Sequence, residues 1–175
     1  MDRRRTDARG FTLIELVVVM TMVVVLAAAL LPAFPKFLRE RAVRSAVAEL
    51  TAQLSFAQSY ARSRGLVAQV SWTEQGRRTE LRAETDPINA PGEFERVTEG
   101  GAWTVRMPDD VQISLERDDE PVDLSADADL LFFPDGQAEA ARVQVEAGSA
   151  GSYLIEVSPT TGRPRAEEVY AAASR

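Results

Sequence analysis

The sequence predicts an α+β protein: a long N-terminal helix, half apolar throughout and half amphipathic, packed on an antiparallel β-sheet head. Three observations carry this. From Leu16 to Phe34 there is no charged residue, and about 20 apolar residues are what a membrane-spanning helix needs. Val43, Val47, Leu50, Leu54, Ala57 and Ala61 then recur at spacings of three and four, which is one apolar stripe of an amphipathic helix. After Gly65 the pattern changes to short alternating runs separated by turn residues, the signature of strands.

Residues 1–10 are short, polar and basic and read as a leader without a fold of its own. The apolar segment 11–35 contains one misfit, Glu15. A charge at mid-membrane depth costs roughly 2.5–3.5 kcal/mol on insertion scales, so this carboxylate needs a partner. A cut after Gly10 would make Phe11 the N-terminus, and its amine and Glu15 would be an i, i+4 pair on one helix face. Residues 36–65 continue the helix in amphipathic form, with Arg39, Arg41, Arg44, Glu49, Gln53 and Arg62 lying mostly off the stripe. Phe11 to Arg64 would rise about 80 Å at 1.5 Å per residue, of which only ~30 Å fits a bilayer. Gly65 is the expected stop.

Residues 66–175 form the predicted head. Leu66–Trp72 alternates as a strand, Glu74–Arg77 is a turn, and Thr79–Ala83 is the next strand. Residues 85–102, rich in Pro, Gly, Asn and Glu, read as an exposed loop. Trp103–Met107 and Val111–Glu116 read as short strands, and 117–129 as an acidic loop. Leu130–Phe133 is a buried strand closed by Pro134-Asp135-Gly136. Val143–Val145 and Tyr153–Val157 complete the set, with Pro159–Gly162 as a turn. Antiparallel strands need one face covered, and the helical stripe is the cover.

Composition bounds the chemistry. With no Cys and no His, disulfides, Cys–His and Ser–His–Asp nucleophile systems, and His- or Cys-based zinc sites are all absent. No GxSxG and no phosphate-cradling loop occurs. Carboxylate-only catalysis is compatible with the composition, but nothing points to it, so the reading is a non-enzyme without cofactors. Charge is strongly partitioned: residues 36–64 hold six basic and two acidic side chains, residues 65–175 ten and twenty-two. Arginines balance on either side of the apolar segment (Arg3, Arg4, Arg5 and Arg9 before it; Arg39, Arg41 and Arg44 with Lys36 after it), so charge alone leaves its orientation open.

Arg9-Gly10-Phe11-Thr12-Leu13-Ile14-Glu15 closely resembles the processing site of type IV pilins and type II secretion pseudopilins. The resemblance implies cleavage after Gly10 by a prepilin peptidase, methylation of the Phe11 amine, and pairing of Glu15 with a neighbouring subunit's amine during filament assembly. Two plainer readings stand beside it: a secretory signal cut near Ala27-Ala28-Ala29, and a signal anchor whose Glu15 faces some other helix. Pro32 acts either as a hinge during assembly or as the end of the lipid-spanning part. Ala57–Gly65, Phe133–Ala138 and Val157–Arg163 resemble the GspH/FimT group of minor pseudopilins. That group implies a single-pass protein of the bacterial inner membrane with a periplasmic head. Its expected partners are membrane lipid, other major and minor pseudopilins or pilins, and an inner-membrane assembly platform. The expected function is a type II secretion pseudopilus subunit, or alternatively a FimT-like pilin that primes pilus assembly or touches DNA.

Two further features have a plain and a functional reading. Asp118, Asp119, Glu120, Asp123, Asp127 and Asp129 form a solvated acidic loop or a calcium site, although EF-hand spacing is missing. Gly162-Arg163-Pro164-Arg165 resembles a motif that contacts DNA in uptake pilins, so Arg163 and Arg165 are candidates for phosphate contacts. The acidic head and Glu167-Glu168 oppose that, leaving a hairpin turn with two exposed arginines.

Overall fold

The computed structural model of the chain describes residues 12–30, 34–99, 104–148 and 151–169. It divides into two units, Met1–Leu38 and Arg39–Arg175. In the first, α1 spans Leu13–Leu30. Thr12 caps it: the Glu15 amide donates to Thr12 Oγ1 at 3.3 Å and to the Thr12 carbonyl at 3.1 Å. Every side chain described from Leu13 to Ala28 is exposed, and they are apolar all round the helix except for Glu15 and Thr21. Thr21 meets its own need by donating to the Val17 and Val18 carbonyls at 3.0 and 2.8 Å. The helical stretch expected from Phe11 to Arg64, with Pro32 as its hinge or as the end of the lipid-spanning part, is described as α1 and α2 (Phe34–Arg64). Pro32 itself lies outside the described residues, as do Gly10 and Phe11. Among the described residues no helix is long and apolar enough to cross a membrane. The described part of α1 has 18 residues, a rise of ~27 Å against a hydrocarbon core of about 30 Å.

In the second unit the predicted stripe is the spine of the core. Val43, Val47, Leu50, Leu54, Ala57 and Ala61 are each at most 4% exposed. Gly65 ends α2 with φ +68°, and the amides of Gly65 and Leu66 donate to the Ala61 carbonyl at 3.0 and 3.3 Å.

Two antiparallel sheets complete the core, where one was expected. The first is built from β1 (Ala68–Thr73), β2 (Arg78–Asp86), β3 (Ala90–Arg96), β4 (Thr104–Arg106) and β7 (Ala128–Phe132), in the order β3-β2-β1-β7 with β4 also on β2. The second is β10-β9-β8-β5-β6, from β5 (Gln112–Arg117), β6 (Glu120–Val122), β8 (Ala141–Glu146), β9 (Ser152–Val157) and β10 (Pro164–Val169). Strict alternation puts Val143, Val145 and Ile155 inside and Arg142, Gln144 and Glu156 outside. Trp72, Phe132, Leu81, Leu130 and Leu115 join the helical stripe in one buried cluster. Burying side chains of this size contributes roughly 1.5–3 kcal/mol each, the main term holding the unit together.

Three expectations about the strands are corrected. Residues 85–102 are not a loop throughout, because β3 pairs with β2 there. Its residues are largely exposed, so no apolar alternation marks it. The acidic stretch 117–129 holds β6 and the start of β7; Asp118 and Asp119, with φ +53° and +65°, make the tight turn from β5 into β6. Asp is among the few side chains that tolerate that backbone region. Beyond the Pro159–Gly162 turn, β10 pairs along β9 with nearly every residue exposed. The outer strands β3, β6 and β10 each contain a proline: Pro91, Pro121 and Pro164.

Candidate functional site

Three places were expected to carry function, and the structure treats them differently. The first is Glu15. It sits at the third position of α1 behind the Thr12 cap, an acidic group where the helix dipole favours one. The carboxylate thus serves the helix start, yet it is exposed amid exposed Leu13, Ile14 and Leu16.

The second is the β9–β10 turn with Arg163 and Arg165. Its frame is a latch onto α2. Gln58, nearly buried, donates through its amide to the Thr161 carbonyl at 3.1 Å. Gly162, at φ +61°, is pressed against Gln58 and the Gly136 carbonyl, and its amide donates to the Ser158 carbonyl at 2.7 Å. Arg163 and Arg165 line a surface groove of ≈ 460 Å³ together with Glu116, Asp119, Arg142 and Glu156. Register makes a row of alternating charge across the sheet: Glu116 opposite Arg142, Arg142 opposite Glu156, Glu156 opposite Arg165. Arg142 is its hub, with Asp119 at 2.7 Å, Glu156 at 3.2 Å and Glu116 at 3.9 Å. The hydrogen bond to Glu156, then the charge of Asp119, raise the Arg142 pKa. Arg165 is 2.9 Å from Glu167. The two candidate arginines therefore share their groove with three carboxylates, which offset the positive charge a polyanion would meet there.

The third is the acidic stretch. Among the described residues no three acidic groups are placed to hold a metal. Asp119 faces Arg142, and Asp123 accepts from the Ser125 amide at 2.8 Å, a bond that lowers its pKa.

Sequence reasoning missed the buried polar contacts that set the helix on the sheets. Gln53, taken as off the stripe, is fully buried and accepts from the Thr79 hydroxyl at 2.5 Å. Two surface ion pairs were missed as well, Arg39 with Asp110 at 2.5 Å and Arg44 with Glu168 at 3.7 Å. A charge-versus-apolar count passes over the buried contacts, because the buried face of α2 is wider than its apolar stripe and also takes in Gln53 and Gln58.

Comparison with known proteins agrees with this anatomy. Residues 5–31 match the prokaryotic N-terminal methylation motif, and residues 46–161 match the type II transport protein GspH family. Among solved structures, the minor pseudopilin EpsH from the type 2 secretion system of Vibrio cholerae aligns twice. One EpsH structure has TM-score 0.53 at 13% identity, covering 73% of this chain and 95% of that one. The other has TM-score 0.54 at 14% identity, covering 74% and 94%. The type IV minor pilin FimU of Pseudomonas aeruginosa aligns at TM-score 0.49 and 18% identity over 75% of this chain and 92% of that one. A search of curated proteins finds no significant match. The EpsH likeness, at such identity, speaks to fold; the family profile spans α2 from Ala46 onward and the strands from β1 to β9. The chain belongs to the GspH family of type IV pilin-like proteins, structural subunits and not enzymes.

Proposed function

We propose that the chain is a minor pseudopilin of a type II secretion system, a subunit that waits in the inner membrane and assembles into a periplasmic pseudopilus. The observation that carries this is a GspH-family head joined to an N-terminal methylation motif. In this reading residues 1–10 are the leader, 11–35 the membrane and filament-core segment, 36–65 the head's helix and 66–175 its β-rich part. Prepilin peptidase cuts after Gly10 and methylates Phe11. Glu15 then pairs with a neighbour's N-terminal amine, an attraction strengthened where no water competes. Pro32 supplies the bend. The assembly platform and the other pseudopilins are the partners, and the action is mechanical.

The test is Glu15→Ala in the full chain. Leader cleavage should persist while incorporation into filaments is lost; normal incorporation would refute the assembly role of Glu15. A FimT-like pilin that touches DNA is the second reading, favoured by Gly162-Arg163-Pro164-Arg165 in the exposed turn. It predicts a salt-dependent DNA shift that Arg163→Ala with Arg165→Ala abolishes. The carboxylates beside those arginines favour the first reading, and no shift at low salt would remove the second.

A further inference from the structure

We infer that Arg82 and Arg96, facing each other across β2 and β3, form a binding site for a carboxylate that comes from outside the head.

The two arginines are cross-strand partners. Residues placed directly opposite share a face of the sheet, with Cβ atoms about 4.5–5.5 Å apart, and like charges there repel and weaken the pairing. Both side chains are exposed, and neither has an ion-pair partner among the described residues. The carboxylates two places along β2 on the same face are committed elsewhere. Glu80 meets Arg78 at 2.8 Å, and nearly buried Glu84 accepts from the Gly92 amide at 2.9 Å. Arg96 donates to the Thr104 hydroxyl at 2.6 Å, which holds its guanidinium without neutralising it. Next in the row across the sheet is Gln69, opposite Arg82 on β1 and nearly buried, which brings no charge.

The same face shows how such a pair is satisfied, and so identifies the ligand. Four residues earlier on β2, Arg78 stands opposite Arg106 on β4, again arginine against arginine. There one oxygen of the Glu74 carboxylate lies 3.4 Å from Arg78 and the other 3.2 Å from Arg106. A single carboxylate bridges two facing guanidiniums, one charge-assisted contact to each. Arg82 and Arg96 present the same arrangement of donors, and among the described residues no carboxylate stands between them. The chemistry that completes this pair is a carboxylate, either dissolved or carried by an acidic residue of a second copy. Since β3 pairs with β2 alone, a ligand joining Arg96 to Arg82 also fastens a border strand to its neighbour.

The test is NMR of the arginine Nε–H signals in the full chain in detergent, titrated with sodium acetate and, separately, with sodium chloride at equal ionic strength. Acetate should shift Arg82 and Arg96 together along one saturable curve, while Arg78 and Arg106, already bridged, hold still. Arg82→Gln should abolish the saturable shift of Arg96. Glu74→Gln should give the first pair the same behaviour, so that Arg106 begins to respond to acetate. With acetate binding shown, a protein-concentration series without acetate identifies the source. Arg82 and Arg96 shift with concentration if a second copy brings the carboxylate, and hold still if the ligand is dissolved. Equal shifts in chloride, equal shifts of all four arginines, an unchanged Arg96 curve in Arg82→Gln, or a silent Arg106 in Glu74→Gln would each overturn the inference.

Discussion

Replacing Gly162 by alanine should destabilise the head by about 2–5 kcal/mol, and the structure divides that figure into two parts. The first is backbone: at φ +61° a side chain meets the following carbonyl, at about 1–2 kcal/mol. The second is steric. The new methyl would lie 2.8 Å from the Gly136 carbonyl oxygen and 2.8 Å from Gln58 Cγ. The first contact is backbone, and the second belongs to the side chain that bonds the Thr161 carbonyl, so neither yields without loosening the latch between α2 and the turn. Overpacking of this kind costs typically 1–3 kcal/mol. Gly65→Ala isolates the backbone part, because at φ +68° it meets nothing within 4 Å. Urea unfolding of the full chain in detergent, followed by the emission of buried Trp72, measures both. Gly162→Ala should lose 1–3 kcal/mol more than Gly65→Ala, out of a total stability of about 5–15 kcal/mol. Equal losses would mean that the turn moves freely against Gln58 and Gly136, and would refute the latch.

Leu54→Ala, at a fully buried stripe position, should cost about 2–5 kcal/mol in the same assay; under 1 kcal/mol would mean that the stripe is not packed as described. Gln53→Ala leaves the buried Thr79 hydroxyl without its acceptor and should cost roughly 1–3 kcal/mol, whereas Gln53→Leu with Thr79→Val should come within about 1 kcal/mol of the parent. The Asp86 pKa is lowered by the Asn89 side-chain amide first, then by the backbone amides of Asn89 and Ile88. The three hydrogen bonds that this carboxylate accepts at the tip of the β2–β3 hairpin are therefore complete above the ordinary carboxylate value of about 3.9 and are lost as pH falls through the lowered one. Carboxyl-carbon NMR should find Asp86 titrating below the ordinary carboxylate value, and Asn89→Ala should move it up; no movement would break the assignment. Arg142→Ala should cost no more than about 1 kcal/mol, since its three carboxylate partners are about half exposed or more and exposed pairs contribute little.

What was legible in the sequence was whatever repeats. The spacing from Val43 to Ala61 located the buried face of α2, and alternation located β1, β8 and β9; in α2, β8 and β9 burial of one face enforces the period, whereas β1 is buried on both. The segments that went unrecognised are stabilised without that enforcement. β3 and β10 lie at sheet borders with both faces largely open, so their side chains obey no alternation. Contacts such as Gln53–Thr79 and Gln58–Thr161 join residues 26 and 103 positions apart, which no local pattern reports. Glu15 was conspicuous because a carboxylate interrupts an apolar run, but its place behind the Thr12 cap emerged only from the backbone. Arg82 and Arg96 were invisible as a pair for the opposite reason: with Arg96 in a segment taken for loop, nothing local joins them, and they meet only through the β2–β3 register.

Pro91, Pro121 and Pro164 lie in three of the border strands, and a proline has no amide to offer a strand from another chain. In the filament proposed above, heads standing side by side would meet at concentrations where strand-to-strand zippering, as in amyloid, is nearly irreversible. Borders blunted in this way at β3, β6 and β10 would leave contacts there to side chains, and so keep such an assembly open to dismantling and reuse of its subunits.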